Sequence, residues 1–126
     1  MSKLAPLGQI GRILNEFFKA VLNKKFGDAE RILQEIVERV GADSEFKRGF
    51  MQGLKGILNM YRLNDQYTFL NTLNLTDVNT LREYYDDFLE NLKKRLRTDY
   101  DRGYFLALAK YLYFCLKNIE TRIKET

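Results

Sequence analysis

The chain has 126 residues, 45% hydrophobic and 30% charged, with a formal net charge of +4, one proline, one cysteine and no histidine. This is the composition of one soluble globular domain, large enough to bury a core and poor enough in proline to suit long helices. Without histidine the commonest general base at neutral pH is missing. With one cysteine neither a disulfide framework nor the usual zinc ligand sets can form, so composition points away from an enzyme and from any catalytic, zinc or cofactor site, and leaves open only a purely carboxylate Mg²⁺ or Ca²⁺ site.

From Gly8 to Lys25, Ile10, Ile13, Leu14, Phe17, Phe18, Val21 and Leu22 recur at helical spacing and predict a covering helix over 8–26, stopped by Gly27. Its Phe17-Phe18 pair and basic end also occur in membrane-surface helices, but a bundle cover needs the same stripe. Asp28 is the expected N-cap of a second helix, Ala29–Val40, ended by Gly41. Ser44 is the expected cap of a third, Glu45–Leu63, whose stripe is Phe46, Phe50, Leu54, Ile57, Leu58 and Tyr61. These two make a first hairpin over 28–63.

After the break at Asn64-Asp65, Gln66–Leu73 reads as one short helix. Thr76 is expected to cap a long helix, Asp77–Arg97, with Val78, Leu81, Tyr85, Phe88, Leu89, Leu92 and Leu96 inward. Thr98 then caps the last helix, Asp99 to about Lys124, closing a second hairpin over 76–124. Within it Tyr104–Leu116 is apolar or aromatic throughout except for Lys110, so neighbours are expected to cover it nearly all round. Cys115 lies inside that run and reads as a small buried hydrophobe, not a nucleophile.

Ser44-Glu45-Phe46-Lys47-Arg48-Gly49-Phe50 and Thr98-Asp99-Tyr100-Asp101-Arg102-Gly103-Tyr104 match in chemical type except at Lys47 and Asp101. The match continues in register through Gly53 with Ala107, Leu54 with Leu108, Ile57 with Tyr111 and Leu58 with Leu112. The chain therefore reads as all-α, a single-domain bundle of five to six helices built from two duplicated hairpins, with the first helix as a cover. Gly49, Gly53 and Gly56 together forgo on the order of 3 kcal/mol of helix propensity. Close packing should offset this, so the two copies are expected to cross at Gly49/Gly53 and Gly103/Ala107.

The paired F/Y-x-R-G-F/Y pattern, with the small and leucine positions that follow over Ser44–Leu58 and Thr98–Leu112, resembles a small all-helical family of uncharacterised archaeal proteins. The resemblance implies an archaeal source and carries no activity with it.

Arg48 and Arg102 each lie about 160° round the helix from both aromatics of their copy. Two readings stand: ion pairs with a carboxylate of the preceding helix (Glu35, Glu38, Asp86 or Asp87), or a symmetry-related pair holding a phosphate or a partner's carboxylate. The basic clusters Lys24-Lys25, Lys93-Lys94-Arg95 with Arg97, and Arg122 with Lys124 raise a nucleic-acid partner, although acids are interleaved with them. A helix-turn-helix reading of the second and third helices fails at Lys47, where an apolar residue is needed. Adjacent Asp86 and Asp87 point about 100° apart and do not make a shared ion site.

No GxxxxGK[ST] or GxSxG motif occurs, the N-terminal stretch has no apolar signal-like run, and Tyr104–Leu116 is too short for a membrane span. The expectation is a cytoplasmic, non-enzymatic interaction or scaffold module, a homodimer or small subunit of a larger complex, with no membrane partner or evident small-molecule substrate. Tyr111 and Tyr113 are the surface residues expected at its interface. The alternative is a basic helical subunit of an RNA or DNA complex.

Overall fold

A computed structural model describes residues 7–63, 77–94 and 98–125. Among the described residues a 3₁₀ turn at Leu7–Gln9 leads into five α-helices: α1 Gly11–Leu22, α2 Phe26–Val40, α3 Glu45–Arg62, α4 Val78–Lys93 and α5 Asp99–Glu125. There is no strand among the described residues, and the all-helical single domain read from periodicity is the fold observed. The Gln66–Leu73 helix, Leu96, Arg95 and Arg97 lie outside the described residues.

Two expected boundaries move for one reason. The first helix stops at Leu22, well before Gly27, because Lys24 adopts a left-handed φ of 60°. Lys25 N–H then bonds the Ala20 carbonyl at 2.8 Å and Lys24 N–H the Val21 carbonyl at 3.0 Å, the paired bonds of a Schellman turn. The next helix restarts at once at Phe26, so Gly27 and Asp28 fall in its first turn, and Asp28 faces the helix dipole instead of capping it. The later caps are side-chain caps. Ser44 Oγ accepts from Lys47 N–H at 3.1 Å, and Thr98 Oγ1 accepts from Asp101 N–H at 3.1 Å. Asp77, one residue past the expected Thr76, accepts from Thr80 N–H and from its hydroxyl; that hydroxyl bond holds the Asp77 carboxyl below its ordinary pKa.

Helices α3 and α5 pack along each other more extensively than any other pair, and α4 lies along α5. By contrast α2 leans on α1 and touches α3 more lightly. Helix α1 is the cover its stripe predicts: Ile13, Leu14, Phe17, Phe18, Ala20 and Val21 are all buried. Phe18 sets its ring edge-on to Tyr111 at 5.3 Å and lies 5.7 Å from the Phe114 ring, so α1 reaches across the first hairpin to cover α5. The stripe of α4 is shallower. Leu81 alone on that helix is fully buried, whereas Val78, Tyr85, Phe88, Leu89 and Leu92 are half-buried.

Candidate interaction surface

The glycines bring the two central helices into backbone contact. A Cβ placed on Gly49 would fall on the Tyr100 carbonyl, and one placed on Gly103 would fall on the Phe46 carbonyl, with Phe50 N at 2.7 Å. At Gly53 a Cβ would lie 2.5 Å from that of Ala107 and 3.0 Å from the Tyr104 carbonyl oxygen. Positions 46 and 100, and 49 and 103, are matched in the sequence pattern. The two contacts are therefore reciprocal, as an approximate two-fold through the crossing would make them. Gly56 takes no part in this approach: its nearest neighbour is the Tyr104 hydroxyl at 3.4 Å, an ordinary contact.

Farther along the seam Tyr61 of α3 meets Tyr111 of α5, with hydroxyl oxygens 2.5 Å apart. Tyr111 is wholly buried, which removes it from any surface role; its ring is covered by Phe18 and Tyr61. Burial raises the Tyr61 hydroxyl to about 12 against the pull of its Tyr111 hydrogen bond. Tyr111 is raised further, by burial first and then by the neighbouring Cys115 and Tyr61. Burial likewise raises Cys115 to about 11, which keeps it a protonated, inert thiol at neutral pH.

Neither arginine pairs with the preceding helix's carboxylates. Arg48 Nε donates to Glu45 Oε1 at 2.9 Å, and its Nη1 donates to the Ala42 carbonyl at 2.7 Å. Arg102 Nη1 stands 3.9 Å from Asp99 Oδ1, and its Nη2 donates to the Lys94 carbonyl at 3.1 Å. The reason is spacing: an acid three residues earlier lies on the same helix face, and the long stem then reaches back over the turn. Glu35 is already beside Arg31 at 3.8 Å. Each arginine thus ties the start of its helix to the backbone at the end of the one before.

Between Asp99 and Ile119 most of α5 is covered, but one ridge is not. Leu106 is half-buried, and Lys110, Tyr113 and Lys117 face solvent at successive turns, so the apolar run has an outer edge that its composition hid. Tyr113 is 46% exposed, its ring centroid 5.9 Å from that of Tyr85 and 5.5 Å from Lys117 Nζ. The basic residues are dispersed among acids. Lys93 lies 3.7 Å from Glu90, Lys47 lies 2.9 Å from Asp43, and Arg62 of α3 pairs with Glu30 of α2. Lys94 is exposed just past the end of α4.

Among the described residues no group of three or more His, Cys, Asp or Glu side chains gathers to hold a metal, and no helix is long and apolar enough to cross a membrane. No family model, curated protein or solved structure matches the chain. One feature escaped the sequence reading: a cleft between α2 and α3, with Lys55, Asn59 and Arg62 on its α3 side. Its signal was present, since these polar residues stand where the second copy has Ala109, Tyr113 and Leu116, but they read equally well as an ordinary solvent face.

Proposed function

We propose that the chain is a non-enzymatic protein-interaction module, working by self-association or as a small subunit of a larger complex. The observation that carries this reading is Tyr113. A large aromatic is held half out of the surface, braced by Tyr85 and Lys117, within the apolar run Tyr104–Leu116 of α5. Tyrosines ordered in advance, with an apolar body and a polar tip, are the residues that anchor protein interfaces. The reciprocal Gly49–Tyr100 and Gly103–Phe46 contacts support reading the two hairpins as copies of one unit, with the crossing as a rigid platform for that ridge. A nucleic-acid role finds less support, because Arg31, Arg48, Lys93 and Arg102 stand beside carboxylates of their own helices and Lys47 beside Asp43.

The test combines sedimentation of the purified chain with affinity capture from its native cells, with and without nuclease, using the wild type and Tyr113→Asp. The reading expects concentration-dependent self-association, or a nuclease-resistant partner, that Tyr113→Asp weakens at least tenfold with unchanged helicity. A partner lost on nuclease treatment, with binding that falls steeply as salt rises, would instead establish the nucleic-acid reading.

A further inference from the structure

The α2–α3 cleft has a volume of about 360 Å³, within the range of small-molecule sites. Its floor is apolar, made by Leu33 and Val37 of α2 and Leu58 of α3. Its rim is polar. Lys55 and Asn59, one turn apart on α3, face Gln34 across the opening, and the Glu30–Arg62 ion pair shuts one end. Glu30 to Val37 spans about two turns of α2, roughly 10 Å.

An open cleft is not a necessity of the hairpin. In the second hairpin the positions matching Asn59 and Arg62 are Tyr113 and Leu116. There Phe88 packs 5.9 Å from Phe105 and Tyr113 packs 5.9 Å from Tyr85, and a cavity beside Ala109 has a volume of about 110 Å³. The first hairpin keeps three times that volume and lines it with a lysine and two amides.

We infer that the α2–α3 cleft binds an amphipathic carboxylate of medium chain length, its chain on Leu33, Val37 and Leu58 and its head group on Lys55 Nζ and the Asn59 amide. The charge balance fixes the sign of the head group. Glu30 is neutralised by Arg62, and Lys55 has no carboxylate within ion-pair distance among the described residues, so the cleft carries one uncompensated positive charge. Neither later acid of α2 lines the cleft: Glu35 stands beside Arg31, and Glu38 accepts from Gln34 Nε2 at 3.5 Å and holds that amide at the rim. The site lies on the first hairpin and does not rest on the Tyr113 reading.

The experiment is a methyl-labelled NMR titration of the full chain with octanoate, repeated with octyltrimethylammonium, which has the same chain and the opposite charge. The inference expects saturable shifts at Leu33, Val37 and Leu58 with a Kd below about 1 mM, and at least tenfold weaker binding of the cation. Lys55→Gln, at an exposed position that threatens no packing, should weaken octanoate at least fivefold. Val37→Phe, which fills the floor, should abolish it. Absence of saturation, equal binding of both probes, an unaffected Lys55→Gln variant, or shifts centred on Tyr113 would each overturn the inference.

Discussion

The α2–α3 and α4–α5 hairpins begin alike. Ser44 and Thr98 cap in the same geometry, Arg48 and Arg102 reach back over the same turn, and Gly49 and Gly103 receive the partner helix's backbone. They diverge one turn later. In the first hairpin α2 is drawn toward α1 and a polar cleft opens beside α3; in the second, α4 lies on α5 and tyrosines and phenylalanines fill the space. The same framework therefore supports two surfaces, and what distinguishes them is the cover. One hairpin has a helix bound over it, and the other carries its apolar mass on its own two helices. Substitutions at the shared crossing should break both hairpins together, and those beyond it should separate them.

The largest effect is expected at the crossing. Gly49→Ala and Gly103→Ala each gain about 1 kcal/mol of helix propensity, but the new methyl lands on a carbonyl of the facing backbone, which cannot turn aside as a side chain could. Overpacking of this kind costs about 3 kcal/mol or more, so each variant should be strongly destabilised or unfolded in urea titrations. Gly56→Ala on the same helix meets only ordinary contact and should be neutral or stabilising by up to about 1 kcal/mol. Equal losses at Gly49 and Gly56 would mean that the crossing does not depend on glycine.

The crossing was legible in the sequence because two physical costs coincided there: glycines inside a helix, and the same glycines repeated in register. The helix stripes were legible for the same kind of reason, since an apolar residue every third or fourth position has few other uses. The end of α1 was not, because Lys24 in a left-handed turn is locally unfavourable and only the surrounding contacts hold it there. Nor was the solvent ridge on α5. Composition does not tell Tyr111 from Tyr113, although the repeat sets them at Ile57 and Asn59; lying about 200° apart on α5, the first turns to Phe18 and Tyr61 and the second to solvent. The carboxylate of the preceding helix expected for Arg48 gives way to Glu45, because an acid three residues away on the same face competes better.

A second, intermediate effect belongs to the far end of the seam, where Ile57 and Tyr61 of the first copy correspond to Tyr111 and Cys115 of the second. Tyr61 and Cys115 are neutral acids whose folded pKa values lie above their ordinary values of 10.0 and 9.0. Their contribution to stability is thus complete below pH 9 and is lost as pH rises through about 11 for Cys115 and about 12 for Tyr61. Urea unfolding should show level stability from pH 7 to 9 and a loss on the order of 2 kcal/mol by pH 11. Cys115→Ala should delay the onset by about one pH unit, to where the tyrosines begin to ionise. A profile unchanged in that variant would remove the thiol from the account.

The smallest effect tests how closely the shared turn is copied. Arg48 binds its carbonyl at 2.7 Å and its carboxylate through a short Nε contact, so Arg48→Ala loses charge-assisted hydrogen bonds at both ends. Arg102 binds its carbonyl at 3.1 Å and stands 3.9 Å from its carboxylate. Its Nε is enclosed and has no hydrogen-bond partner among the described residues. An enclosed donor without a partner costs desolvation, which subtracts from what the other contacts contribute. Both arginines are partly solvated, which limits either loss to about 1 kcal/mol, and Arg48→Ala should be the more damaging by a few tenths. The reverse order in paired urea titrations would show that the second turn, despite its longer bonds, is the one that fixes its hairpin.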